Sequence, residues 1–126
     1  MTAVLEHRMG PTLQAMGRGS PVVLEPEVQR WLEGLPTEQF AQAAVHIDRL
    51  GQPGSLTRQL GADMGELRFH VGREPYRVTY WIAPDMRIVL LTVFRRCRTR
   101  DRREIERAAR VLTRCVADRF VAEVIT

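Results

Sequence analysis

The stretch from Gly65 to Arg96 constrains this chain most. It reads as three strands joined by two short turns, with arginines at strand positions that are ordinarily apolar or neutral. In the first strand Leu67, Phe69 and Val71 alternate with Glu66, Arg68 and His70, the period of two that separates the faces of a sheet. The turn Gly72-Arg73-Glu74-Pro75 leads into a second strand from Tyr76 to Ile82. There Tyr76, Val78, Tyr80 and Ile82 share one face, and Arg77, Thr79 and Trp81 share the other. Ala83-Pro84-Asp85-Met86 forms the second turn, with proline at a favoured position. Arg87 to Arg95 is apolar on both faces and is expected to be the central strand. Short turns force antiparallel neighbours, so the three strands make a meander that brings Arg68 and Arg77 to one face, within reach of one phosphate. A sheet carrying Arg68, Arg77 and Arg95 on its strands points to an anion.

The flanking segments supply helices. Val22 to Leu24 after Pro21 is expected to be a short edge strand. Pro26 suits the first position of a helix, Glu25 and Glu27 favour its positive end, and Val28, Trp31, Leu32 and Leu35 keep helical spacing until Pro36. A second helix is expected from Thr37 to Gly51, with Phe40, Ala43, Ala44, Ile47 and Leu50 as its apolar stripe and His46 at the boundary. The two form a hairpin that covers one face of the sheet. Gln52 to Gly65 has no assignable regular structure. A last helix is expected from Asp101 to about Asp118, with Ile105, Ala109, Leu112 and Val116 on one face. Arg102, Arg103, Arg107, Arg110 and Arg114 lie on the other, either as a solvated face partly paired with Glu104 and Glu106 or as an RNA footprint. Residues 1–20 read as a tail with a short helical piece near Val4 to Met9, residues 21–118 as one domain, and residues 119–126 as a C-terminal tail.

Composition narrows the partners. A chain of 126 residues is one domain, and no apolar run approaches the roughly 18 residues of a membrane span. With no secretory signal pattern at the N-terminus, a cytoplasmic location is expected. The formal charge of +4 suits an acidic partner such as nucleic acid. All 19 basic residues are arginine, which fits a compositional bias and also carries a chemical consequence. A guanidinium stays protonated and cannot act as a base near neutral pH, so any proton must be carried by His, Tyr, Asp or Glu. Cys97 and Cys115 are too few for a disulfide framework, and neither they nor His7, His46 and His70 have metal-ligand spacing, so no cofactor is expected.

Five segments in order carry a resemblance: Glu27-Val28 with Trp31-Leu32; Glu66-Leu67-Arg68; Tyr76-Arg77-Val78-Thr79-Tyr80; Ile88 through Arg96; and Glu104-Ile105-Glu106-Arg107-Ala108. Over roughly residues 22–116 the chain resembles the toxins of the RelE/ParE superfamily, and more narrowly their phage-derived, HigB-like branch. The resemblance implies an α+β RelE-like fold: a short N-terminal strand, a helical hairpin, a three-stranded antiparallel meander with helices packed on one face, and a C-terminal helix. It implies a toxin of a type II toxin-antitoxin system that cleaves messenger RNA on the ribosome and is silenced by a helix-turn-helix antitoxin. The family's basic positions correspond to Arg68, Arg77 and the Arg95/Arg96 pair. Arginine stands at Arg95 or Arg96 where lysine is common, and the segment before the first meander strand is short.

RNA cleavage without a metal uses the ribose 2′-hydroxyl as nucleophile. Arginines suit the charge on phosphorus because their forked donors match its oxygens. The catalytic candidates are therefore Arg68 and Arg77, then Arg95 or Arg96, with His70 as the proton carrier and Tyr80 as the other possible acid or base. Each has a plainer reading: Arg68 paired with Glu66, Arg77 anchoring acids of the last helix, His70 an exposed strand residue, Tyr80 and Trp81 core. The competing function is a non-catalytic binding module, either a ParE-like poison of DNA gyrase or a protein that binds only its antitoxin.

Overall fold

The computed structural model describes residues 12–14, 21–50, 57–61, 63–97 and 99–125, with the side chains of 12–14, Pro21 and 120–125 left aside. Their order is β1 (Thr12–Gln14), β2 (Pro21–Leu24), α1 (Pro26–Glu33), α2 (Thr37–Asp48), β3 (Thr57–Gln59), β4 (Met64–Val71), β5 (Glu74–Ile82), β6 (Ile88–Arg95) and α3 (Asp101–Ile125). The expected helical piece at Val4 to Met9 and the expected cap at Gly51 lie outside the described residues. No described helix is long and apolar enough to cross a membrane.

Among the described residues the strands form one mixed sheet in the order β1-β2-β6-β5-β4-β3. The meander β4-β5-β6 is its centre, and β2 joins β6 in parallel. Val22 to Leu24 is therefore not an edge, because β1 pairs outside it. Two further differences come from pairing partners that sequence patterning does not show: β3 arises inside the expected loop, and β4 begins at Met64. β6 has the expected burial on both faces, from Ile88 through Thr92 and again at Phe94. The ladder slips between Thr79 and Tyr80, so Leu91 has no partner and turns with Thr92 toward the same side. Thr79 Oγ1 lies 2.6 Å from Thr92 Oγ1 at this point and accepts the Thr92 amide at 3.2 Å, satisfying buried polar groups that the bulge disturbs.

The helical hairpin covers one face, as expected. Val28 and Leu32 of α1, and Phe40, Ala43, Ala44 and Ile47 of α2, pack on Leu67, Phe69, Val71, Val78, Tyr80 and Leu90. Trp31 lies against Tyr76 at a ring separation of 5.0 Å, and His46 stacks on Phe69 at 4.9 Å. The Gly72 amide, in a turn where φ is 62°, donates to Gln42 Oε1 at 2.7 Å and ties the β4-β5 hairpin to α2.

Helices occupy both faces rather than one. Ile105, Ala108, Val111, Leu112 and Cys115 of α3 cover Met64, Trp81, Val89 and Leu91 on the side opposite the hairpin. The apolar bulk of Trp81 and Leu91 on that side would otherwise face water, and α3 is the amphipathic segment that buries it. Instead of ending at Asp118, α3 runs to Ile125. Arg119 holds its later turns by pairing with Asp85 of the β5-β6 turn at 2.8 Å.

Where β2 ends at Leu24, β6 continues with an open edge, and α1 and α3 meet there. Glu27 Oε2 accepts the Val93 amide at 3.0 Å, as a strand carbonyl would have done. Arg107 closes the corner, donating to both Glu27 oxygens and to Glu104 Oε1. Those carboxylates hold the Arg107 guanidinium's pKa above its ordinary value.

A cationic pocket as the candidate functional site

On the α3 side, Arg68 of β4 and Arg77 of β5 are directly opposed partners in the ladder. Like charges in that relation repel, so the sheet keeps them together only with counter-charge nearby. Arg77 has it: Nη1 donates to Glu66 Oε1 at 2.8 Å and lies 3.8 Å from Asp101 Oδ2 at the start of α3. Glu66 is fully buried and Arg77 is only 6% exposed, while Arg58 approaches the same carboxylate at 3.8 Å from β3. Asp101 also accepts the Cys97 amide, so the β6-α3 connection and the Arg77 pair share one acid.

Arg68 makes no ion pair with any described residue and is exposed. Glu66 points to Arg77 instead of Arg68, which corrects the plainer reading of Arg68. Around this guanidinium lies a pocket of about 200 Å³ lined by Arg68, His70, Pro75, Tyr76, Arg77 and Arg96. Arg96 reaches it because its backbone amide continues the ladder onto Pro75 at 2.9 Å. The pocket is below the ~300–1,000 Å³ of small-molecule sites and suits a compact anion such as one phosphodiester.

Four of the expected residues, Arg68, His70, Arg77 and Arg96, thus line one cavity. Two do not. Tyr80 is 9% exposed in the hairpin-side core, its ring lying so close over Gly65 that a Cβ at that position would collide with the phenol carbon and oxygen. The bare glycine is the space that the ring occupies. Arg95 pairs with Glu74 at 3.5 Å and lines a neighbouring cleft with Phe94, Arg96, Cys97 and Arg100. Alternation along β6 turns its side chain away from that of Phe94. Trp81 is buried in the core beneath α3, as expected.

Sequence reasoning missed two participants. Glu66 fixes Arg77; its place in the alternation put it on the correct face but could not choose between two arginines. Tyr76 lines the pocket while packing on Trp31, a dual position that period alone does not reveal. Near the rim, Cys97 Sγ lies 3.3 Å from Thr99 Oγ1, and this contact with help from Arg100 lowers the thiol pKa to about 7. Among the described residues no group of three or more His, Cys, Asp or Glu side chains could hold a metal ion.

Fold and pocket define a small α+β protein with an arginine-lined pocket on a mixed sheet. The model of the phage-derived Gp49-like proteins matches residues 30–113, and the chain belongs to that family. The family is RelE-like and toxin-like, which implies an antitoxin partner and is compatible with a toxin-antitoxin module. No curated protein and no solved structure matches the chain.

Proposed function

We propose that this protein is the toxin of a type II toxin-antitoxin system, with a RelE-like fold of the HigB-like branch, and that it cleaves messenger RNA on the ribosome in the cytoplasm. The observation that carries this reading is the cavity in which Arg68, Arg77 and Arg96 surround a phosphate-sized space beside His70. In the reaction the 2′-oxygen forms a bond to phosphorus as the bond to the 5′-oxygen breaks, leaving a 2′,3′-cyclic phosphate and a free 5′-hydroxyl. The charge that builds on the phosphoryl oxygens is met by Arg68 and Arg96, whose guanidiniums have no acid of their own among the described residues. Arg77, already held by Glu66, adds a fixed positive field from the floor. His70 takes or returns the proton, since histidine ordinarily titrates near neutral pH and arginine does not. No step in this scheme needs a metal. A cognate helix-turn-helix antitoxin silences the protein.

Primer extension on transcripts from expressing cells tests the reading: new 5′ ends within translated frames support it. Intact transcripts with broken or abnormally relaxed plasmid would favour a ParE-like gyrase poison instead.

A further inference from the structure

Between α1 and α3 runs a cleft of about 480 Å³, whose walls include Arg30, Arg107, Arg110 and Arg114 against the two acids Glu25 and Glu27. Both acids are already engaged. Glu27 is held by Arg107 and the Val93 amide, and Glu25 lies 3.6 Å from Arg114. Arg30 and Arg110 are exposed and have no acidic partner among the described residues. The cleft is therefore a guanidinium-walled channel whose own carboxylates do not neutralise it.

The channel lies near the candidate site, with one further cleft and the Glu104–Arg107 pair between them. Arg96 lines both the 200 Å³ pocket and the adjoining cleft of about 300 Å³ that contains Arg95 and Arg100. Glu104, on the far wall of that second cleft, bonds Arg107 of the channel at 2.9 Å. Arg100 in the turn before α3, then Arg107 and Arg114 on nearly the same side of that helix, follow one another at seven-residue spacing, the two helical ones about 10 Å apart at 1.5 Å per residue. We propose that the α1-α3 channel is a second phosphate-binding subsite, taking the backbone of the same RNA strand several nucleotides from the one held at Arg68. This rests on the endoribonuclease reading.

Single-stranded RNA fits better than an acidic helix. The floor offers few apolar residues, Pro26, Leu91 and Val111, too few to receive the i, i+3, i+4, i+7 anchors of an amphipathic helix. A phosphate chain needs only the guanidiniums, and Arg30 and Arg110 offer two with no acidic partner among the described residues.

The test measures binding of cleavage-resistant 2′-O-methyl oligonucleotides by fluorescence anisotropy across a salt series. One probe is a dinucleotide and the other is longer than the path. For Arg30→Gln combined with Arg110→Gln, both exposed and with no acidic partner among the described residues, the long probe should bind more weakly. Its log-log salt slope should flatten by about 1.4, at roughly 0.7 per lost phosphate contact on a single strand. The dinucleotide should show no such deficit, whereas Arg68→Ala should weaken both probes. An unchanged slope and affinity for the long probe in the double variant, with Arg68→Ala still defective, would overturn the subsite and leave the cleavage site standing. Weakened binding of the cognate antitoxin with RNA binding intact would also overturn it, assigning the channel to a protein. Failure of the wild type to bind either probe would overturn the subsite, while the absence of cleavage of ribosome-bound transcripts by the wild type would separately overturn the endoribonuclease reading.

Discussion

Arg77 donates to Glu66 at 2.8 Å, and the acceptor is a fully buried carboxylate whose other oxygen, Oε2, has no hydrogen-bond partner among the described residues. Removing the arginine strands that charge. Arg77→Ala is therefore expected to cost about 3–5 kcal/mol of stability, the usual penalty for breaking one side of a buried pair. Glu66→Leu combined with Arg77→Met should recover much of it, because no uncompensated charge remains. Urea unfolding of the wild type and these two variants checks this, and a double variant no more stable than Arg77→Ala would contradict it. The same relationship makes Arg77→Ala a poor probe of catalysis, since activity would fall with the fold.

Tyr80 and Gly65 give a second stability test. Gly65→Ala puts a methyl group into the phenol ring, and overpacking of this kind costs about 1–3 kcal/mol. Tyr80→Phe keeps the ring and its packing, and transcript cleavage by that variant should match the wild type. A large loss of cleavage at unchanged stability would return Tyr80 to the catalytic machinery.

Much of this was legible in the sequence, for identifiable reasons. Period-two alternation over 67–71 and 76–82 placed Arg68, His70 and Arg77 on one face, and the doubly apolar run in β6 marked the sheet centre. The helix starts at Pro26 and near Thr37 followed from proline and the apolar stripes. What remained hidden depended on long-range partners. β1 and β3 are three residues each and exist through the strands beside them. The place of α3 on the second face depends on which apolar side chains of β4, β5 and β6 share that face, Met64, Trp81, Val89 and Leu91, and the slip at Thr79/Tyr80 that leaves Leu91 unpaired and puts Thr92 opposite Thr79 has no local pattern to announce it. Choosing Arg77 over Arg68 as the partner of Glu66 likewise required the register.

Asp48 makes a prediction about pH. It is 6% exposed on α2, neither oxygen has a hydrogen-bond partner among the described residues, and burial pushes its pKa from 3.8 up to about 6. The folded state thus holds the proton more tightly than the unfolded state, so this group's contribution falls as pH rises from about 4 to about 6 and stays low above that. Asp48→Asn should be more stable than wild type at pH 7, by at most about 3 kcal/mol at 1.36 kcal/mol per pKa unit, and not at pH 4. Thermal melts at both pH values decide it; an equal difference at each would show that folding does not raise the pKa of Asp48.

The two cysteines should separate by reactivity. The thiol of Cys97 is lowered to about 7, first by its hydrogen bond with Thr99, whereas burial between α3 and the sheet pushes Cys115 up to about 11. The thiolate is the nucleophile, so iodoacetamide at pH 7.5 should label Cys97 first, with a rate that rises through about pH 7. Peptide mass spectrometry reads the order, and labelling of Cys115 at the same rate would contradict it.

The claim that Arg68 and His70 work on an RNA phosphate is tested most directly by single-turnover cleavage of a ribosome-bound transcript. Wild type would be compared with Arg68→Ala and His70→Ala, each matched for thermal stability. Both side chains are exposed, so the fold should persist. The expected result is a rate loss of about 10²- to 10⁴-fold in each variant, the range for a positioned acid, base or charge-stabilising donor. Full cleavage by Arg68→Ala, or no cleavage by the wild type, would contradict the account.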